Sequence, residues 1–357
     1  MSLNSYNPQS FTHPGSTLKE KLEEINMSIK EFSLRTAKPE KTIHDILNFD
    51  SSITPDMAVQ FEKVLNIPAK FWLNYQARYN EYIARVQYNN MLSTNIEWAE
   101  KFPYNEMSKL NWVPKTRSKT EKVDNLLKFF GFSSPVSWER YFLNSELKTA
   151  FRISLKHTKE PHAISAWLRH GEIEAEKMEV NQYQENKFKK NLEKIRRLIV
   201  EQADDFFKQL HEICSESGVK LVYSPTLPKA PISGSTRWIN ESPVIQISGR
   251  YKKNDRFWFT FLHEAGHILL HNKKDIYLEG LDDISEKERE ADEFAANFLV
   301  NSKQEKELLD KSNLTDEELI NFANKFNTHP AILVGRLQFL KNKYNFLNKF
   351  KTNVILD

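Results

Sequence analysis

The sequence predicts a multi-domain, mainly α-helical chain that carries one small β-sheet in its C-terminal part. Three observations predict it. The 357 residues exceed what one ordinary core encloses and suggest two or three units, each burying its own apolar interior. Residues 17–79 read as short amphipathic helices separated by quick breaks. After Gly218 the apolar period changes to two, the signature of half-buried strands.

Composition narrows the function classes. A hydrophobic fraction of 39% and a charged fraction of 28% are ordinary for a folded globular protein and unlike a disordered or membrane chain. No run approaches the roughly twenty apolar residues that a bilayer crossing needs, and the polar start of the sequence lacks an apolar signal core. The single cysteine, Cys214, excludes an internal disulfide and a cysteine-based zinc knuckle. A cytoplasmic protein without membrane contact is therefore expected. The net charge of +3 is too small to announce nucleic-acid binding, which depends on local clusters of Lys and Arg.

Several helix starts carry a capping residue. Thr17 with Glu20, and Ser28 with Glu31, have capping-box spacing, and Lys38-Pro39 precedes a third helix. Thr54-Pro55 supplies an N-cap and a first-turn proline for a fourth, and Pro68 opens a fifth. The inward stripes are Leu18, Leu22 and Ile25; Ile29 and Phe32; Ile43, Ile46 and Leu47; and Ala58, Phe61, Val64 and Leu65. Residues 91–183 give a weaker signal, with helix-like stretches at 123–130 and 143–151. Residues 187–213 read as one long helix, with Phe188, Leu192, Ile195, Ile199, Phe206 and Leu210 inward and a solvated basic face of Lys189, Lys190, Lys194, Arg196 and Arg197. Strands are expected at 220–223 and 244–248, with Gly234 and a turn at 240–243 between them. Two helices follow, at 256–271 and 284–300, on either side of an acidic loop.

The first of these two helices contains the chemistry. His263, Glu264, Ala265, Gly266 and His267 set two imidazoles four positions apart on one helical face, the spacing that lets both bind a single zinc ion. Glu264 between them becomes the base for a metal-activated water that attacks a peptide carbonyl. His271 is rejected as the third ligand, because positions i, i+4 and i+8 spread over about 12 Å of helix axis. It is read instead as a neighbour of the ligands or a helix-end histidine. On the second helix Ala291, Ala295, Phe298 and Leu299 define the buried face, and Glu288 and Asp292 share it. Glu288 is the expected third ligand and Asp292 the group that orients an imidazole N–H. Glu290, which points away, is the alternative ligand.

These residues resemble the ImmA/IrrE family of metallopeptidases, whose members carry a helix like His263 to His267 and a second helix with a Glu-x-x-x-(Asp or Asn) pattern, here Glu288 to Asp292. The likeness extends over about residues 166–340. It includes Gly234-Ser235-Thr236-Arg237-Trp238, the strand at 244–248, Phe257-Trp258-Phe259-Thr260, and residues 329–338. It implies cleavage of a repressor-type protein. One departure is Val300-Asn301, where family members often place a proline. The N-terminal helices resemble the HigA-type antitoxin branch of the Xre/Cro helix-turn-helix proteins. The likeness runs through His13-Pro14-Gly15, Ile53-Thr54-Pro55 and Phe71-Trp72-Leu73-Asn74. It implies a recognition helix at residues 40–47, with Lys38, Lys41, Thr42 and His44 facing DNA, and a homodimer on a two-fold operator. Ala37 stands at a turn position where glycine is usual, and Glu40 and Asp45 add negative charge near the phosphates.

Together these readings imply a five-helix helix-turn-helix module at 11–82, a helical connector at 83–184, and an α+β zincin-like domain at 185–345. The expected function is a DNA-binding regulator in a toxin-antitoxin or phage-type circuit, with a zinc endopeptidase domain acting on a repressor, a toxin or another protein partner. The edge of the sheet would hold an extended peptide, and Arg237 or Arg250 would supply a polar contact to it. The rival reading is a non-catalytic, HigA-like antitoxin whose zinc domain only binds a partner.

Overall fold

The computed structural model describes residues 11–143, 160–250, 252–271, 277–279, 286–311 and 314–356. The chain divides into two compact units, residues 1–94 and 95–357. The expected helix-like stretch at 143–151 and the acidic loop before residue 286 lie almost wholly outside the described residues.

The described residues of the first unit form helices only: α1 (Pro14–Glu24), α2 (Ile29–Thr36), α3 (Glu40–Leu47), α4 (Pro55–Leu65) and α5 (Ala69–Thr94). Helix α1 starts three residues before the expected Thr17 cap. His13 Nδ1 accepts from the Gly15 N–H at 3.0 Å, and Pro14 takes the first helical position, where no N–H is needed. Ser28 and Thr54 cap α2 and α4 as their spacing predicts. Ala37 closes α2 in the left-handed region, φ 51°, so the turn into α3 keeps its shape without glycine. Leu18, Leu22, Phe32, Ile43, Ile46, Ala58, Phe61, Leu65 and Trp72 form one core. Full burial contributes about 1.5–3 kcal/mol for each of the larger aliphatic and aromatic side chains. Ile25, expected inside, ends α1 and is exposed.

In the second unit, α6 (Ile96–Glu100), α7 (Tyr104–Lys109), α8 (Lys119–Phe130) and α9 (Pro135–Phe142) precede α10 (Pro161–Lys177). Trp98, Phe102, Phe130, Trp138 and Phe142 interlock in edge-to-face and tilted pairs among the first four of these helices. The single helix expected at 187–213 is two, α11 (Glu185–Glu201) and α12 (Phe206–Glu216). Gln202 takes the left-handed conformation between them, φ 45°, and its side-chain oxygen accepts from Asn254 at 2.6 Å. Arg196 leaves the expected solvated face. Its guanidinium lies 4.2 Å from the centre of the Phe298 ring and donates to the Phe298 carbonyl.

The sheet comprises β1 (Lys220–Ser224), β2 (Gly234–Ile239), β3 (Ser242–Ser248) and β4 (Tyr277–Glu279), in the order β1-β3-β2-β4. β1 runs parallel to β3, and the other pairings are antiparallel. Helix α10 covers one face, where Gln246 Nε2 donates to the Trp167 carbonyl at 2.7 Å and to Ser224 Oγ at 2.8 Å. Helix α13 (Asn254–Leu270) packs on β2 and β3 and against α14 (Glu286–Leu299). Three helices complete the unit: α15 (Ser302–Leu309), α16 (Asp316–Phe326) and α17 (Pro330–Leu340). Asn301, at the position of the missing proline, caps α15 in a box with Gln304. Among the described residues no helix is long and apolar enough to cross a membrane.

Candidate metal centre

Two small residues let α13 and α14 approach closely. A Cβ on Gly266 would stand 3.2 Å from the Phe294 ring and 3.3 Å from the backbone of Ala291, which is itself fully buried. The approach brings one residue of α14 to two of α13. His263 Nε2 lies 3.0 Å from His267 Nε2 and 3.0 Å from Glu288 Oε2, and His267 Nε2 lies 3.4 Å from Glu288 Oε1. A tetrahedral ion with bonds of about 2.0–2.1 Å sets its ligand atoms roughly 3.3–3.4 Å apart; the observed 3.0–3.4 Å lies at that spacing or a few tenths of an ångström inside it, and the two-imidazole, one-carboxylate donor set suits zinc. Both histidines are buried and Glu288 is partly covered.

The electrostatics of the protein groups favour a positive charge at this point. Burial opposes charge on His263, but hydrogen bonds to Asp292 and Glu288 outweigh it and raise its pKa to about 11. Burial dominates at His267, which falls to about 4. Glu288 is penalised by burial, yet the two imidazoles hold it at about 2.

The groups behind the histidines are ordered as well. His263 Nδ1 lies 2.9 Å from Asp292 Oδ1. His267 Nδ1 lies 2.9 Å from His271 Nδ1, and His271 Nε2 lies 2.9 Å from Glu290 Oε2. His271 caps the end of α13 outside the converging trio. Glu290, which helical periodicity turned away, reaches the site through His271. The Tyr277 ring stacks on His267, with centroids 3.9 Å apart and planes 11° from parallel.

Glu264 is fully buried, and Thr236 of β2 holds it: the hydroxyl lies 2.6 Å from Oε2 and 3.0 Å from the Glu264 carbonyl oxygen. Burial pushes its carboxyl well above the usual range. The other oxygen, Oε1, has no hydrogen-bond partner. It faces Gly234, where a Cβ would come within 2.5 Å, so glycine is what leaves the carboxylate its place. Glu279 of β4 stands near His263 and Glu288, and burial raises its pKa too. Thr236, Tyr277 and Glu279 were missed by sequence reasoning. A three-residue strand is too short to show a period, and only the likeness of the run from Gly234 to Trp238 pointed toward β2.

Neither arginine expected at a substrate is among the converging ligands. Arg237 is buried under α10, donating to the Leu168 carbonyl at 2.7 Å and Gln246 Oε1 at 3.0 Å. Its β2 position points to the face opposite Thr236, so the expected substrate contact is corrected to a bond between sheet and helix. Arg250 is exposed and donates to the Pro231 carbonyl. In the first unit Lys41 and His44 are exposed on α3 and Thr42 is half-buried. His44 Nε2 lies 3.8 Å from Glu40. Lys38 is paired with Asp56, which offsets the charge expected to face DNA.

Residues 214–338 match the family model Peptidase_M78, the IrrE N-terminal-like domain. Sixty-three residues, 18% of this chain and 67% of the relative, are 32% identical to an uncharacterised HTH-type transcriptional regulator, YddM, of Escherichia coli (strain K12). Among solved structures, an addiction module antidote protein of a HigA family from Coxiella burnetii is 31% identical, covering 23% of this chain and 91% of that one with a TM-score of 0.22. Pseudomonas aeruginosa antitoxin HigA, solved with the higBA promoter, is 28% identical over 22% of this chain and 86% of its own, also with a TM-score of 0.22.

Proposed function

Because residues 214–338 form a domain of the Peptidase_M78 family and the chain belongs with the HTH-type transcriptional regulators through its related segment, we propose a DNA-binding regulator with a working zinc endopeptidase domain. The observation that carries the peptidase reading is the convergence of His263, His267 and Glu288 to 3.0–3.4 Å spacings beside a buried, partly unpartnered Glu264. Held by these three residues, zinc would supply Lewis acidity and lower the pKa of water toward neutral. Glu264 would serve there as base and then acid, its Oε1 taking up a proton and later giving it to the leaving amine. Thr236 fixes one oxygen of the carboxylate and leaves the other to do so. Asp292 holds His263 in the tautomer that presents Nε2, and His271 with Glu290 does the same for His267.

The regulator reading rests on the E. coli relative and on the short turn between α2 and α3. Lys41, Thr42 and His44 present α3 to an operator, Lys38 contributes less because Asp56 offsets it, and a homodimer matches a two-fold site. The substrate is a repressor or toxin-type protein partner, or the chain itself, in the cytoplasm. The test compares new protein ends in cells carrying the native chain or Glu264→Gln. The variant retains zinc and generates none of the ends that the native chain produces; ends produced equally by both contradict the catalytic assignment.

A further inference from the structure

One carboxylate beside the centre has no part in the chemistry above. Glu279 pairs in register with Gly234 across β4 and β2, and Gly234 abuts the Glu264 carboxylate. The Glu279 side chain accepts a hydrogen bond from Thr260, one turn before Glu264 on α13. Its Oε2 is enclosed and has no hydrogen-bond partner, as is true of Glu264 Oε1. Glu264 itself is 0% exposed. Two partnerless carboxylate oxygens, one from the edge strand and one from the helix, therefore lie on either side of Gly234 and Thr260. An enclosed acceptor without a donor is costly, and an arriving donor relieves that cost.

Glu279 is not a ligand of the ion by position: the atoms that converge within 4.8 Å are those of His263, His267 and Glu288. The surroundings are acidic. Glu264, Glu279, Glu288 and Asp292 all act on His263. Four carboxyl groups gather here, and burial penalises the ionised form of two of them, a penalty that a neighbouring positive charge relieves.

Resting on the peptidase reading, we propose that Glu279 is a specificity residue that receives a cationic side chain of the substrate, a Lys or Arg next to the bond that is cut. β4 ends the strand order, so a peptide laid along it runs past Glu279, and the group it brings displaces the packing that encloses Oε2.

The test uses small zinc-binding probes on the full zinc-loaded chain: the hydroxamates of Nα-acetyl-lysine, Nα-acetyl-norleucine and free-amine norleucine. Their Kd values are measured by calorimetry for the native chain and for Glu279→Gln, with zinc content measured in both. The native chain binds the lysine probe about tenfold or more tightly than acetyl-norleucine hydroxamate, as one charge-assisted hydrogen bond allows. In Glu279→Gln that preference shrinks to about twofold or less while zinc stays. Preference for the lysine probe supports the proposal; preference for the free amine alone overturns it, because a chain-end ammonium belongs to an exopeptidase site. Equal binding by the native chain, a preference that survives in the variant, or loss of zinc from the variant overturns the proposal. Failure of all three hydroxamates to bind sinks the peptidase reading beneath it.

Discussion

His263 and Asp292 are joined across two helices, Nδ1 to Oδ1 at 2.9 Å, although the Asp292 side chain is largely exposed. The bond leaves His263 Nε2 as the atom directed at His267 and Glu288. Partners of this kind fix the tautomer of a metal-binding imidazole, and their loss typically weakens metal binding about 10–100-fold. Asp292→Ala is expected to lower zinc affinity by that order in a chelator competition, with secondary structure unchanged. Undiminished affinity would mean that the contact does no positioning.

The second unit is expected to lose stability as the solution becomes acidic, through two histidines away from the centre. Burial, with help from Lys101, holds His162 at about 4. Burial also holds His170 at about 4, against the opposing pull of Glu174. His170 is stacked on Trp112 at 4.0 Å, and His162 on Trp138 at 4.8 Å. Both take up protons in the unfolded chain near pH 6.5 but resist them when folded, so the unfolded state binds more protons between these values. The stabilisation is complete above pH 6.5 and is lost as pH falls toward about 4. The Tm of a His162→Phe, His170→Asn variant should fall less steeply over that interval than the native Tm. Parallel curves would contradict the assignment.

Much of the centre was legible because its signals are local. Four-residue spacing on one helix fixes His263 and His267 together, and the buried stripe from Ala291 to Leu299 selects Glu288 and Asp292. Longer-range features were hidden for physical reasons. The break at Gln202 escapes notice because Ile199 and Phe206 are seven positions apart, two helical turns, so the apolar stripe stays in phase across it. Glu279 and Tyr277 sit on a strand of three residues whose pairing with β2 no local pattern reveals. Arg237 was misjudged because alternation along a strand does not say which face meets solvent when both are covered. The early start of α1 depends on an imidazole acting as the cap, a role the hydroxyl-based rule does not anticipate.

For the DNA-binding unit, Lys41→Ala with Thr42→Ala is expected to weaken binding to the DNA upstream of the chain's own gene. The loss should be roughly tenfold or more, since each contact of this type is worth about 1–3 kcal/mol. Lys38→Ala should cost less, because Asp56 already offsets that charge. A gel shift unchanged by the double substitution would remove α3 from the interface.

The measurement that bears most directly on the central claim is zinc content by elemental analysis of the purified chain, beside Glu288→Ala and Glu290→Ala. Glu288 lies within 3.0–3.4 Å of both imidazole nitrogens, whereas Glu290 reaches only His271. About one zinc per chain is predicted, lost from Glu288→Ala and kept by Glu290→Ala. A native chain that takes up no zinc on reconstitution, or one that loses it with Glu290 and keeps it without Glu288, would contradict the account.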